Sequence, residues 1–122
     1  MMHSAPTLWH GLMTKLCGVT AAFLKAQAKA GAQALQLFDS WAGALSRQDY
    51  TRFAAPYSRR ILREAAKTKV PLIHFGTGTT PFLEEFAGAG GSGGAGAAAT
   101  TAGRAGVAGG CSRRASSRSC FS

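Results

Sequence analysis

Long apolar runs are missing from this chain. No stretch approaches the ~18–20 uninterrupted apolar residues that a membrane span needs. Nor does the N-terminus, Met1-Met2-His3-Ser4-Ala5-Pro6, place a basic segment ahead of an apolar one as a secretory signal would. The expected location is therefore cytoplasmic. Cysteine is sparse as well. The three thiols, Cys17, Cys111 and Cys120, form no CxxC pair and have no histidine at zinc-finger spacing. Unpaired cysteines in a reducing compartment are the expectation, and no metal site is assigned. Acidic residues number five against 14 Lys and Arg, for a formal charge of +9.

The apolar share, 46%, is ordinary for a globular protein and argues against a wholly disordered chain. At 122 residues there is room for one small domain. The averages conceal a division near Gly91. Residues 1–91 hold all five acids and ten of the basic residues, whereas residues 92–122 hold four arginines, no lysine and no acid. In that second stretch 25 of 31 residues are Gly, Ala, Ser or Arg, so it reads as a low-complexity, disordered tail. Because GC-rich codons read out of frame yield this composition, a shifted reading frame near codon 91 is one expectation. The coding DNA around codons 90–95 tests it.

From Pro6 to Lys29, Trp9, Leu12, Met13, Leu16, Val19, Phe23 and Ala26 recur at helical spacing, with Ala30 just beyond. They predict a long amphipathic helix with these residues as its buried stripe, stopped at Gly31. Ala34-Leu35-Gln36-Leu37-Phe38 reads as a buried strand closed by Asp39-Ser40, and Trp41 to Leu45 as a loop. Ser46 and Asp49 are spaced for a capping box. Pro56 then divides a short helix from a second one running to about Thr68. A second strand is expected over Val70–Phe75, ended by Gly76. Thr79 or Thr80 caps a third helix with Pro81 in its first turn, and Gly88 stops it. Two strands joined by a helical crossover pair in parallel, with a right-handed connection. The class is α/β, but two parallel strands cannot cover both their faces alone.

The segments Ala26-Gln27-Ala28-Lys29-Ala30-Gly31-Ala32, Leu35-Gln36-Leu37-Phe38-Asp39-Ser40-Trp41-Ala42-Gly43, Tyr50 with Pro56-Tyr57, and Val70-Pro71-Leu72-Ile73-His74-Phe75-Gly76 occur in one order. Together they resemble the uroporphyrinogen decarboxylase family, over Trp9 to Gly91. The resemblance implies an incomplete (β/α)8 TIM barrel: about two βα units with a long N-terminal helix, domain 1–91, followed by the tail 92–122. A complete barrel takes ~250 residues.

The resemblance also implies an activity: decarboxylation of the four acetate side chains of uroporphyrinogen III to coproporphyrinogen III in porphyrin and haem biosynthesis. It implies no cofactor and a homodimer. Ser40 matches the family's hydroxyl residue that hydrogen-bonds a substrate carboxylate, and Phe38 lines the same pocket. No catalytic residue is assigned, because the family's arginine motif, key aspartate and substrate-contacting tyrosine fall upstream of Met1. These 122 residues are expected to be inactive alone.

Structural roles compete at these and other positions. A loop serine such as Ser40 commonly bonds local backbone. Asp39 is expected to orient the loop or to pair with a missing partner, His74 to be a buried and satisfied histidine, and Trp41 and Tyr57 to be core or dimer-contact residues. A corrinoid-linked, zinc-dependent methyltransferase of the same superfamily is the alternative; it uses His-x-Cys, and His74-Phe75-Gly76 has glycine where the cysteine belongs. A basic nucleic-acid-binding protein is the third reading. Against it, Arg59, Arg60, Arg63 and Lys67 follow helical spacing on a solvated face, and Phe121 is the tail's one aromatic residue for base stacking.

Overall fold

A computed structural model of the chain describes residues 1–90 and the backbone of 96–101. The elements run α1 (Pro6–Lys29), β1 (Leu35–Asp39), a 3-10 turn (Ala42–Ala44), α2 (Arg47–Asp49), a π-helical turn (Tyr50–Ala54), α3 (Ala55–Ala66), β2 (Leu72–Thr77), a second 3-10 turn (Thr80–Phe82), α4 (Leu83–Ala89) and β3 (Gly96–Thr101). The strands form one parallel sheet in the order β1-β2-β3. Leu35 pairs with Leu72 and Asp39 with Gly76, so β2 runs one residue, Thr77, past the end of β1.

The expected helix–strand–helix–strand–helix order holds, with parallel pairing of the first two strands. Ser46 caps α2 by accepting the Asp49 amide at 3.1 Å. Pro56 sits in the first turn of α3, where it has no amide to lose. The π-helical turn directly before it widens the backbone where the proline ring would meet a carbonyl. The loop expected over Trp41–Leu45 contains a turn of 3-10 helix instead, closed by the Leu45 amide on the Ala42 carbonyl.

β3 is a departure from the sequence reading. Its six residues lie in the stretch expected to be a disordered tail from residue 92, and they lengthen the sheet from two strands to three. Parallel pairing is made by backbone groups, so a Gly-Ala-Ala-Ala-Thr-Thr segment satisfies the open edge of β2 without a large side chain. Small-residue composition concealed it. The rest of the expected tail, 92–95 and 102–122, lies outside the described residues, as do Cys111 and Cys120.

Alternation along the strands separates two faces. Leu35, Leu72 and His74 are buried beneath the helices, while Phe38, on the other parity, is 67% exposed. One core cluster joins Cys17 and Leu24 of α1 to Tyr57, Ile61 and Ala65 of α3 and to Leu35 and Leu72. A second joins Ala42, Tyr50, Ala55, Phe82 and Phe86. The Cys17 thiol donates to the Tyr57 carbonyl at 3.5 Å, and burial pushes its pKa up against the opposing charge of Arg60. A buried neutral thiol of this kind is unreactive.

The α1 stripe is corrected. Cys17, Ala21 and Leu24 are the buried residues, with Met13 packed beside them, whereas Leu12, Leu16, Val19 and Phe23 are exposed. Two apolar rows run side by side on this helix, about 100° apart. The row with small residues lets α3 approach, and the bulkier row remains outside. Periodicity reveals an apolar face but not which half of a wide one is covered.

Between α1 and α3, Glu64 accepts from Lys25 and from Lys67, each at 2.6 Å. The hydrogen bond from Lys25, then that from Lys67, lowers the Glu64 pKa from 4.5 to about 2. A carboxyl depressed in the folded state stabilises the fold above its unfolded pKa and loses that contribution as pH falls through its folded value. The wild type should therefore lose more thermal stability than Glu64→Gln between pH 4.5 and pH 2. Added salt should shrink the difference, because the pair is solvent-exposed. Parallel melting curves across that range would remove Glu64 from the acid response.

Candidate functional site at the C-terminal ends of the strands

β1 and β2 end within one residue of each other, and the loops that follow are locked together there. Ser40 follows β1 directly. Its carbonyl accepts from the Thr77 hydroxyl at the end of β2. Gly43 lies against Gly78: an added Cβ on Gly43 would be 2.1 Å from the Thr77 carbonyl oxygen and 2.6 Å from the Gly78 carbonyl carbon. Gly78 itself has φ +68°, in the region that favours glycine. The first loop therefore owes its position to the second.

Asp39 is held from two sides. The Ser58 hydroxyl of α3 donates to Asp39 Oδ2 at 2.8 Å, and His74 Nε2 of β2 lies 3.4 Å from the same oxygen. The imidazole is 1% exposed and stacks on Phe86, ring centroids 3.9 Å apart, with Nδ1 3.3 Å from the Phe86 carbonyl oxygen. Tyr50 is packed between Phe82 and Phe86 at 4.8 and 5.9 Å. Burial, then the nearby Asp39 charge, raises the Tyr50 pKa well above the normal phenol range, with Arg59 opposing. Its hydroxyl has no hydrogen-bond partner among the described residues.

The two sequence-assigned site residues sit differently. Ser40 is half-buried at the strand end, and its backbone is fixed by Thr77. Phe38 lies on the sheet face away from the helices and meets Phe75 of β2 edge-on, centroids 5.7 Å apart. Trp41 is 86% exposed and so is not a core residue, whereas Tyr57 is one. His74 and Asp39 are engaged with each other beneath the helices, in the structural roles that the residues suggested. That orientation turns His74 away from the Phe38–Phe75 face, which counts against its use as a ligand for a substrate-activating metal. No group of three metal-capable side chains occurs among the described residues. No helix there is long and apolar enough to cross a membrane.

Ser58 was not singled out from the sequence. The signal was available: it is a hydroxyl in the helix interval Tyr57, Ile61, Leu62 and Ala65, whose members are otherwise buried and apolar. A polar residue on a covered face needs a partner, and Asp39 supplies it. Arg59, Arg60, Arg63 and Lys67 are all exposed, as a solvated helix face requires.

The family model described as Uroporphyrinogen decarboxylase (URO-D) matches residues 1–102, across the composition break and through β3. A uroporphyrinogen decarboxylase of Solibacter usitatus (strain Ellin6076) is 53% identical over 90 residues, 74% of this chain and 26% of the relative. That of Rhodococcus erythropolis (strain PR4 / NBRC 100887) is 51% identical over 90 residues, 74% of this chain and 25% of the relative. A Saccharopolyspora erythraea enzyme of the same name is 51% identical over 94 residues, 74% of this chain and 26% of the relative. The chain thus spans about a quarter of the length of the curated relatives it matches. Through the family match and these identities, the chain belongs to the uroporphyrinogen decarboxylase family.

Proposed function

We propose that the chain is a segment of a uroporphyrinogen decarboxylase (β/α)8 barrel, carrying part of its substrate site. The observation that supports this best is the placement of Ser40 and Phe38 at the carboxyl end of β1, where enzymes of this barrel class build their active sites. Helices cover one face of the sheet and Phe38 and Phe75 lie on the other, the arrangement of an outer helix ring around an inner strand wall. The exposed row of α1, Leu12, Leu16, Val19 and Phe23, suits a helix with further barrel elements beside it.

The reaction is decarboxylation of the acetate side chains of uroporphyrinogen III without a cofactor, in a cytoplasmic homodimer. In that reaction the Ser40 hydroxyl donates to a substrate carboxylate, and Phe38 offers an apolar wall to the tetrapyrrole. Both residues bind and orient; neither moves a proton. As 122 residues alone the protein is inactive, since three described strands make an open sheet where the barrel is closed.

Two measurements test this reading. The purified chain should form no coproporphyrinogen above a Ser40→Ala control; conversion above that control overturns the inactivity. Ser40→Ala should weaken fluorescence-detected uroporphyrin III binding about tenfold, the ordinary value of one hydrogen bond to a charged group. Equal affinity would remove Ser40 from the substrate site.

A further inference from the structure

We propose that Ser58 and His74 are positioning residues for the substrate site: by gripping the Asp39 carboxylate from two elements, they set where Ser40 leaves β1. The inference rests on the reading of Ser40 as a substrate contact, and adds two residues that touch no substrate. Asp39 is the last residue of β1 and the immediate neighbour of Ser40, so its side chain controls the direction of the next peptide. One oxygen, Oδ2, takes the Ser58 hydroxyl at 2.8 Å from α3 and faces His74 Nε2 at 3.4 Å from β2.

These contacts come from two elements that approach the strand end independently. A carboxylate tethered to one partner can still swing about that bond; tethered to two, it is fixed in both directions. Alternation places Asp39 on the helix side of the sheet, opposite Phe38, and Ser40 is the first turn residue beyond the strand. Anchoring Asp39 beneath the helices therefore fixes the point from which the Ser40 turn departs. The Thr77 hydroxyl on the Ser40 carbonyl completes the arrangement from the far side.

His74 is itself immobile. It is 1% exposed, stacked on Phe86 at 3.9 Å, and bounded by the Phe86 carbonyl at Nδ1. A ring confined in this way transmits the position of α4 and β2 to Asp39. The Phe86 carbonyl at Nδ1 and the Asp39 carboxylate at Nε2 can only accept, so each ring nitrogen faces an acceptor and the ring is held between them.

The test reads the loop without needing turnover. The Ala44 and Leu45 amides bond to the Trp41 and Ala42 carbonyls, both at 3.0 Å, and their hydrogen exchange reports whether the loop holds its shape. Ser58→Ala and His74→Leu should each speed these two amides at least tenfold, while amides in α1 and α3 keep their wild-type rates. Ser58→Thr restores the hydroxyl and should return exchange toward wild type. His74→Asn, with a shorter side-chain donor, should restore part of it.

Unchanged exchange at Ala44 and Leu45 in both variants overturns the proposal. So does uniform acceleration across the chain in both variants, which marks a purely structural role. Uroporphyrin III affinity separates this inference from the one beneath it. Faster loop exchange with affinity lowered to the Ser40→Ala level supports positioning. Unaltered loop exchange in variants with normal affinity sinks the positioning role alone. Ser40→Ala without effect on affinity removes the substrate reading instead.

Discussion

Gly43→Ala is expected to destabilise the fold by about 3 kcal/mol or more, at the severe end of single substitutions. The added carbon would be 2.1 Å from the Thr77 carbonyl oxygen, 2.6 Å from Gly78 C and 2.7 Å from Gly78 Cα. All three are backbone atoms, so no side chain can rotate aside. Thr77 is fixed by strand pairing, and Gly78 already holds φ +68°. Relief requires the two strand-end loops to separate, which also breaks the bond between Thr77 and the Ser40 carbonyl. Typical domain stability is roughly 5–15 kcal/mol, so a loss of this size is a large fraction of the whole. Gly11, with nothing within 4 Å of an added Cβ and a position inside α1, is the control. Gly11→Ala should raise stability by about 0.5–1 kcal/mol through helix propensity alone. Urea unfolding followed by circular dichroism reads both. A Gly43→Ala midpoint equal to wild type would mean that the two loops do not touch.

The severity of that substitution explains what was legible in the sequence. Gly43 belongs to the most distinctive run of the family resemblance, Phe38-Asp39-Ser40-Trp41-Ala42-Gly43, yet nothing local says why it must be glycine. Its constraint comes from Gly78, which lies on another loop. Local signals served where physics is local: the Ser46 cap, proline in the first turn of α3, and the order and parallel pairing of β1 and β2. They failed where a partner decides. α1 has apolar residues on two neighbouring rows, and only contact with α3 selects the row of Cys17, Ala21 and Leu24. Trp41 has the side chain of a core residue, but Gly43 brings the chain against Gly78 and leaves the indole outside. β3 was hidden for the opposite reason, because an open parallel edge accepts backbone whatever the side chains. The site divides in the same way. Ser40 and Phe38 are proposed through the resemblance alone. Ser58 was not visible, because its partner stands 19 residues earlier, at the end of β1.

Phe86→Ala should be the other large loss, about 3–5 kcal/mol, since the ring is fully buried. It lies parallel to His74 at 3.9 Å and beside Tyr50 at 5.9 Å, so its removal unpacks the second core cluster and frees the imidazole that faces Asp39. Gly76 is the third member of this arrangement. A Cβ there would be 2.6 Å from Phe86 Cζ and 2.7 Å from Cε2, so the glycine exists to admit the ring. Gly76→Ala alone should therefore cost about 1–3 kcal/mol by overpacking. The two losses should not add. With the ring gone, the new methyl enters the space it vacated, leaving the Thr79 methyl at 3.1 Å as its tightest remaining neighbour. The double variant should be more stable than the sum of the single losses by about 1–2 kcal/mol, the sign expected when one substitution relieves the clash of the other. Where Phe86→Ala is too unstable to measure, Phe86→Leu replaces it; its shorter side chain should leave part of the relief and a smaller coupling. Strict additivity, within about 0.5 kcal/mol, would show that Gly76 and Phe86 do not share this space. A residue that looks like a strand terminator in the sequence would then have no packing reason to be glycine. The predicted coupling instead makes Gly76 the clearance that lets α4 seat its aromatic ring on His74, behind the carboxylate next to Ser40.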